Sequence, residues 1–233
     1  MRDDSDIKPI LAVTGLARES RIAAGAGVEV VCSGGDPERL RSRLDALTAR
    51  RYRAVISFGI AGALDPALRP GDVVVATEIM SGTGTWPIAP SLARVLTDRL
   101  GSIGAVSARV AGVDAPLMDA AAKGAMRDKT GAAAVDMESH VAARFAADAD
   151  LPMCVLRVIS DPADRMLPPL AAHALTPDGR VDFFAALAGL ARDPAQIPLL
   201  MQTGRDAGAA FAALRRVRRV LAFGLGLAGA DLG

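Results

Sequence analysis

From Ala132 to Asp161 the chain reads AAAVDMESHVAARFAADADLPMCVLRVISD. Two apolar runs, Ala132 to Asp136 and Met153 to Ile159, have the composition of short strands, and between them Met137 to Ala149 has helical spacing. Strand, helix and strand in that order describe a crossover unit of an α/β sheet. Each apolar run stops at a carboxylate, the first at Asp136-Met137-Glu138-Ser139 and the second at Ser160-Asp161. Ligands of open α/β sheets bind beyond the carboxyl ends of the strands, so Glu138 and Asp161 are expected to converge on one crevice. Taken singly, either carboxylate is read first as a helix cap; the pairing of the two strand ends is what carries information.

The same alternation extends toward the N-terminus. Further strands are expected at Ile10 to Thr14, Val28 to Ser33, Ala54 to Ser57, Asp72 to Thr77 and Ala105 to Val110, and further helices at Pro37 to Arg50, Ser91 to Leu100 and Ala115 to Asp128. This predicts one α/β sheet with helices on both faces. A third carboxylate, Glu19, follows the first strand in Thr14-Gly15-Leu16-Ala17-Arg18-Glu19-Ser20. The small residues Ser57-Phe58-Gly59-Ile60-Ala61-Gly62-Ala63-Leu64 read as a turn whose glycines admit a ligand close to the backbone, or simply as tight packing. Beyond Leu175 only helices are expected: Asp182 to Ala191, Pro194 to Gln202 and Thr203 to Phe223. Pro168-Pro169 and Thr176-Pro177-Asp178-Gly179 mark turns at that transition. The helical tail of about 175–233 should cover a sheet face, a subunit interface or the mouth of a site.

With 233 residues, 51% hydrophobic and 23% charged, the chain has material for one core, and 1–233 is expected to form a single domain. Lys and Arg number 27 against 26 Asp and Glu, a balance that speaks against disorder and against nucleic-acid binding on a basic surface. Cys32 and Cys154, the 2 cysteines, form no CxxC pair and are expected to be buried thiols. His140 and His173 lack the spacing of a zinc pair, and His140 reads as an ordinary helix residue. Gly224-Leu225-Gly226-Leu227-Ala228-Gly229 matches a dinucleotide fingerprint in letters only, since four residues cannot supply the helix that must follow. The acidic start Met1-Arg2-Asp3-Asp4-Ser5-Asp6 has no apolar region of a signal peptide, and Val220 to Ala230 is too short to span a bilayer. A cytoplasmic protein is expected. Arg215-Arg216-Val217-Arg218-Arg219 beside Val220-Leu221-Ala222-Phe223-Gly224-Leu225 reads first as a helix with solvent-facing arginines, and second as a peripheral membrane contact.

Four segments together resemble the nucleoside phosphorylase and nucleosidase superfamily: Gly15 to Glu19 after the first strand; Gly59-Ile60-Ala61-Gly62 with Pro70-Gly71-Asp72-Val73-Val74-Val75; Val135-Asp136-Met137-Glu138-Ser139; and Arg157-Val158-Ile159-Ser160-Asp161. The Asp-Met-Glu-Ser form is most similar to the hopanoid-biosynthesis-associated phosphorylases, as is a tail containing Asp178-Gly179-Arg180-Val181-Asp182 and Pro194-Ala195-Gln196-Ile197-Pro198. The resemblance implies a three-layer α/β/α nucleoside phosphorylase-like fold with a central mixed sheet and a C-terminal all-helical segment. It also implies a homo-oligomer and no cofactor, with phosphate as the conceivable co-substrate.

The implied chemistry is cleavage of the N-glycosidic bond of a purine nucleoside. Asp161 matches the general acid that protonates purine N7, with Ser160 orienting it. Glu138 matches the residue that holds the ribose hydroxyls, and Met137 the side chain packed beneath the sugar. Gly59, Ile60 and Ala61 match the substrate-facing turn, although Ile60 stands where relatives often carry Ser. Arg157 reads by default as a structural ion pair. In phosphorylases of the superfamily two arginines bind phosphate, and here Glu19 and Ser57 occupy those positions. Glu19 matches instead the carboxylate that activates water in methylthioadenosine/adenosylhomocysteine nucleosidases. Hydrolysis is therefore favoured, while Arg18 and Arg21 keep phosphorolysis open. The substrate implied by the subfamily is adenosylhopane, a lipid-linked adenosine. The alternatives are a methylthioadenosine/adenosylhomocysteine nucleosidase and a nucleoside-binding module without turnover.

Overall fold

The computed structural model describes residues 8–82, 84–168 and 196–227, together with Thr176 and Gly179. Its elements are β1 (Ile10–Thr14), α1 (Ala17–Ala23), β2 (Val28–Cys32), α2 (Pro37–Asp45), β3 (Ala54–Ala63), β4 (Val73–Ser81), β5 (Gly84–Pro87), α3 (Pro90–Leu100), β6 (Val106–Gly112), α4 (Ala120–Thr130), β7 (Ala134–Asp136), α5 (Ser139–Asp148), β8 (Met153–Asp161) and α6 (Ile197–Leu221).

The central sheet is mixed. β1 runs parallel to β2 and β3, and β3 runs parallel to β8, whereas β7 meets β3 and β4 meets β8 antiparallel. Because β4 also pairs with β6 and β6 with β7, the strands β3, β8, β4, β6 and β7 close into a ring, with β2 and β1 extending it on one side and β5 on the other. Closure requires long strands that bend and change partner. β3 pairs with β1 through its first half, with β8 along most of its length and with β7 at its end, and register shifts at Ala61/Gly62 and Ala76/Glu78 supply the bends. The expected turn at Ser57 to Leu64 is therefore strand through Ala63. Its small residues serve packing inside a strand buried from both sides.

Helix starts follow their caps. Asp119 accepts the Ala122 N–H, so α4 begins at Ala120 and not at the expected Ala115. Asp136 accepts the Glu138 and Ser139 N–H groups at 2.8 and 2.7 Å, which sets the start of α5 two residues later than expected. α2 stops at Asp45, with a separate 3₁₀ turn at Ala49–Arg51. The short α1 and β5 were not expected from the sequence. The two helices expected around Gln202 and Thr203 are one, α6, while the expected helix Asp182 to Ala191 and His173 lie outside the described residues.

α6 packs on β8, α1 and α3, burying Ala210, Phe211, Leu214, Val217 and Leu221. Arg215, Arg216 and Arg219 are exposed, whereas Leu221, Leu225 and Leu227 belong to the core. The arginine-rich segment is thus a solvent-facing stripe on a stretch of helix whose apolar residues Val217 and Leu221 are buried. No helix of the described residues is long and apolar enough to cross a membrane. Cys154 is buried, as expected; Cys32 is only half-buried, and both thiols are free.

Candidate functional site

The parallel strands β1, β3 and β8 end on one side of the sheet, and a cleft opens there between Gly15, Leu16, Glu19, Ile60, Ala61, Gly62, Val135 to Glu138, Ser160 and Asp161. Its outer wall comes from the segments after β6 and β8, through Val113, Pro116, Leu117 and Leu167. The Leu167 N–H donates to Met118 O at 2.8 Å and ties those two segments together.

Glu19 reaches the floor from the first turn of α1. Its Oε2 accepts the Gly15 and Leu16 N–H groups and its Oε1 the Ile60 N–H, all at 2.7 Å. These bonds fix the carboxylate against β1 and β3. Gly59 does not line the cleft; it lies behind this carboxylate, where a Cβ would stand 2.5 Å from Glu19 Oε1 and 2.7 Å from Arg157 Nη1. Burial pushes Glu19 above the ordinary glutamate range, against the pull of Arg157 and the three N–H donors.

Arg157, on β8, is fully buried at 0% exposure and sits among three carboxylates. Its Nε donates to Asp136 Oδ2 at 2.8 Å, Nη2 to Ser57 Oγ at 2.5 Å, and Nη2 lies 3.7 Å from Glu138 Oε2. Burial works against its charge, but Asp136, Glu138 and Glu19 together hold the guanidinium more firmly protonated than usual. Nη1 is buried and has no hydrogen-bond partner among the described residues. Asp136 does the capping of α5 that the sequence offered to Glu138. Glu138 makes no side-chain cap bond and turns into the cleft, where Oε1 accepts from Ser33 Oγ at 3.1 Å. Burial first, and then the charges of Asp136 and Glu19, push Glu138 up to about 7 against the attraction of Arg157.

Asp161 closes β8 on the opposite side of the cleft. Ser160 Oγ lies 2.7 Å from Asp161 Oδ1 and 3.2 Å from Ala61 O, and so can donate to either. Lys123 Nζ, from α4, donates to Asp161 Oδ2 at 2.5 Å. The sequence reading missed Lys123 altogether. The available signal was a lone cation in the small-residue run Asp119-Ala120-Ala121-Ala122-Lys123-Gly124-Ala125.

The structure thus brings Glu19, Met137, Glu138, Ile60, Ala61, Ser160 and Asp161 to one cleft. Arg18 and Arg21 are not among its walls: Arg18 stacks on Phe211, 4.1 Å from the ring centroid, and Arg21 Nε donates to Ala17 O on its own helix. His140 is buried with Nε2 3.1 Å from Asp114 Oδ1, away from the cleft. Among the described residues no group of His, Cys, Asp or Glu is placed to hold a metal ion.

The fold matches solved structures along nearly its full length. The Helicobacter pylori 5′-methylthioadenosine/S-adenosylhomocysteine nucleosidase aligns with a TM-score of 0.65 at 15% identity, covering 91% of this chain and 97% of that one. Futalosine hydrolase of the same organism aligns at 0.62 and 16% identity, covering 90% and 97%. The Colwellia psychrerythraea methylthioadenosine/adenosylhomocysteine nucleosidase, solved with adenine, aligns at 0.61 and 18%, covering 88% and 96%. No curated protein sequence matches the chain. The family model described as the Phosphorylase superfamily matches residues 17–193, most of the chain and all of the cleft except Gly15 and Leu16, and the protein belongs to that superfamily.

Proposed function

We propose that the protein hydrolyses the N-glycosidic bond of a purine nucleoside, with adenosine carrying a large apolar 5′ group, adenosylhopane, as its substrate. The observation that carries the reading is the opposition of Asp161 and the Glu19–Arg157–Glu138 group across one cleft. Water positioned by Glu19 attacks C1′ and gives up a proton to that carboxylate. The C1′–N9 bond breaks with its electron pair retained by the purine, and Asp161 delivers a proton to N7 so that the base leaves neutral. Glu138 holds the ribose hydroxyls, a contact that strengthens as positive charge develops on the sugar, and Met137 packs beneath the ring.

Water is favoured over phosphate by what surrounds Glu19. A phosphate dianion there would face the Glu19 carboxylate, while Ser57 is engaged with Arg157, and Arg18 and Arg21 are turned elsewhere. The apolar 5′ group is supported by the outer wall of Val113, Pro116, Leu117 and Leu167, together with the motif resemblance. In this reading the enzyme is a homo-oligomer that touches the membrane through the exposed Arg215, Arg216 and Arg219 alone. The fold is shared with nucleosidases titled for methylthioadenosine and adenosylhomocysteine, and this makes the small 5′ substituent the competing substrate.

The test is adenine release from adenosylhopane and from methylthioadenosine, with Asp161→Asn as control. The expected result is a kcat/KM for the lipid-linked nucleoside at least tenfold above that for methylthioadenosine. The Asn variant should lose about 100-fold to 10,000-fold on both, the usual range for one general acid. Preference for methylthioadenosine would contradict the lipid assignment, and an unimpaired Asn variant would contradict the role of Asp161.

A further inference from the structure

Lys123 is the one buried residue of α4, and a lysine at 1% exposure is rare without a partner that needs its charge. Its Nζ faces three acceptors and no donor: Asp161 Oδ2 at 2.5 Å, Pro162 O at 2.9 Å and Arg165 O at 3.2 Å. An ammonium has three N–H groups and satisfies all three oxygens. A neutral amine has two, so the third hydrogen would have to sit on Asp161, and between an amine and a carboxylate it belongs on the nitrogen. The arrangement therefore describes protonated Lys123 against ionised Asp161, whose other oxygen is within reach of the Ser160 hydroxyl.

This creates a difficulty for Asp161 as an acid, because a carboxylate has no proton to give. The hydrogens within its reach belong to Lys123 and Ser160, and of these two donors an ammonium is by far the stronger acid. We infer that Lys123 is the source of the proton that Asp161 delivers to the purine. The inference rests on the reading of Asp161 proposed above. As the C1′–N9 bond breaks and its electron pair moves onto the purine, Lys123 Nζ gives a proton to Asp161, which passes it on to N7. Lys123 is left a neutral amine whose two remaining N–H groups still satisfy Pro162 O and Arg165 O. Asp161 ends as it began, a carboxylate. The proton taken from water sits on Glu19, and exchange with solvent through the open cleft restores both groups. Lys123 acts through Asp161, so it is a positioning and proton-supplying residue, not one that touches substrate.

The test separates proton supply from mere support by varying the leaving group. Lys123→Arg keeps the positive charge and the donors, but a guanidinium does not release a proton near neutrality. The full-length variant, with Lys123→Gln as a second variant should Arg not fit, is assayed on the purine nucleoside that the wild type cleaves best and on 4-nitrophenyl riboside. The nitrophenolate leaves without needing a proton. We expect the purine rate to fall about 100-fold or more and the nitrophenyl rate to stay within about threefold of wild type. A purine rate near wild type, or equal losses on both substrates, overturns the inference. Asp161→Asn on the same pair distinguishes the two levels. If it loses the purine reaction selectively while the Lys123 variants do not, the reading of Asp161 stands and only the role of Lys123 falls. If it too cleaves the purine normally, both fall.

Discussion

Glu138 shows how one cation among three carboxylates governs the behaviour of a residue. Arg157 cannot neutralise Asp136, Glu138 and Glu19 together, and burial keeps water from doing so. Glu138 consequently keeps its proton up to about 7 in the folded chain, against 4.5 when unperturbed. The folded state binds this proton more tightly than the unfolded one. Its contribution to stability is therefore complete below pH 4.5 and is lost as pH rises to about 7. Glu138→Gln, which cannot ionise, should gain on wild type by on the order of 2 kcal/mol between pH 5 and pH 8. Denaturation midpoints measured across that range check this, and parallel curves for the two proteins would contradict it. Glu138 and Asp161 were legible in the sequence because each follows an apolar run that ends in a carboxylate. Lys123 was not, because its partner lies 38 residues away and helical spacing alone does not say which charged side chain is folded inward.

At the scale of elements, β3 is where sequence and structure diverge most. Gly59, Ala61, Gly62 and Ala63 read as punctuation, since glycine usually marks a turn. In the folded chain they line a strand held between β1, β8 and β7, where a Cβ at Gly59 would press on Glu19 and Arg157 and one at Gly62 would stand 3.0 Å from Asp161 Oδ2. Gly59→Ala places a methyl 2.5 Å from Glu19 Oε1 and 2.7 Å from Arg157 Nη1, both fixed from several sides. Overpacking of this kind costs about 1–3 kcal/mol. It should also lower adenine release by displacing Glu19, so that stability and rate fall together. Chemical denaturation and a rate assay on the same sample test this, and a variant with wild-type values for both would mean that the floor of the cleft is looser than described. The caps were easier to foresee in kind than in place: Asp136, not Glu138, holds the start of α5, and this exchange frees the second carboxylate for the cleft.

For the whole molecule, alternating strand and helix patterns were enough to expect one α/β sheet with helices on both faces, and the superfamily resemblance implied that the sheet is mixed, as it is. The closed ring of β3, β8, β4, β6 and β7 was not legible, because it depends on strands that change partner along their length and on register shifts that leave no mark in hydrophobic periodicity. That closure gathers the ends of β1, β3, β7 and β8 around one cleft. It also explains why residues from four separated motifs meet in one cleft. The proposed hydrolysis makes water, not phosphate, the attacking group. Its most direct measurement is adenine release by the purified protein in phosphate-free buffer and again with saturating phosphate, with the sugar product identified in each. Hydrolysis predicts equal rates and a free 1′-hydroxyl sugar in both. Release that requires phosphate, with a ribosyl 1-phosphate as product, would contradict it.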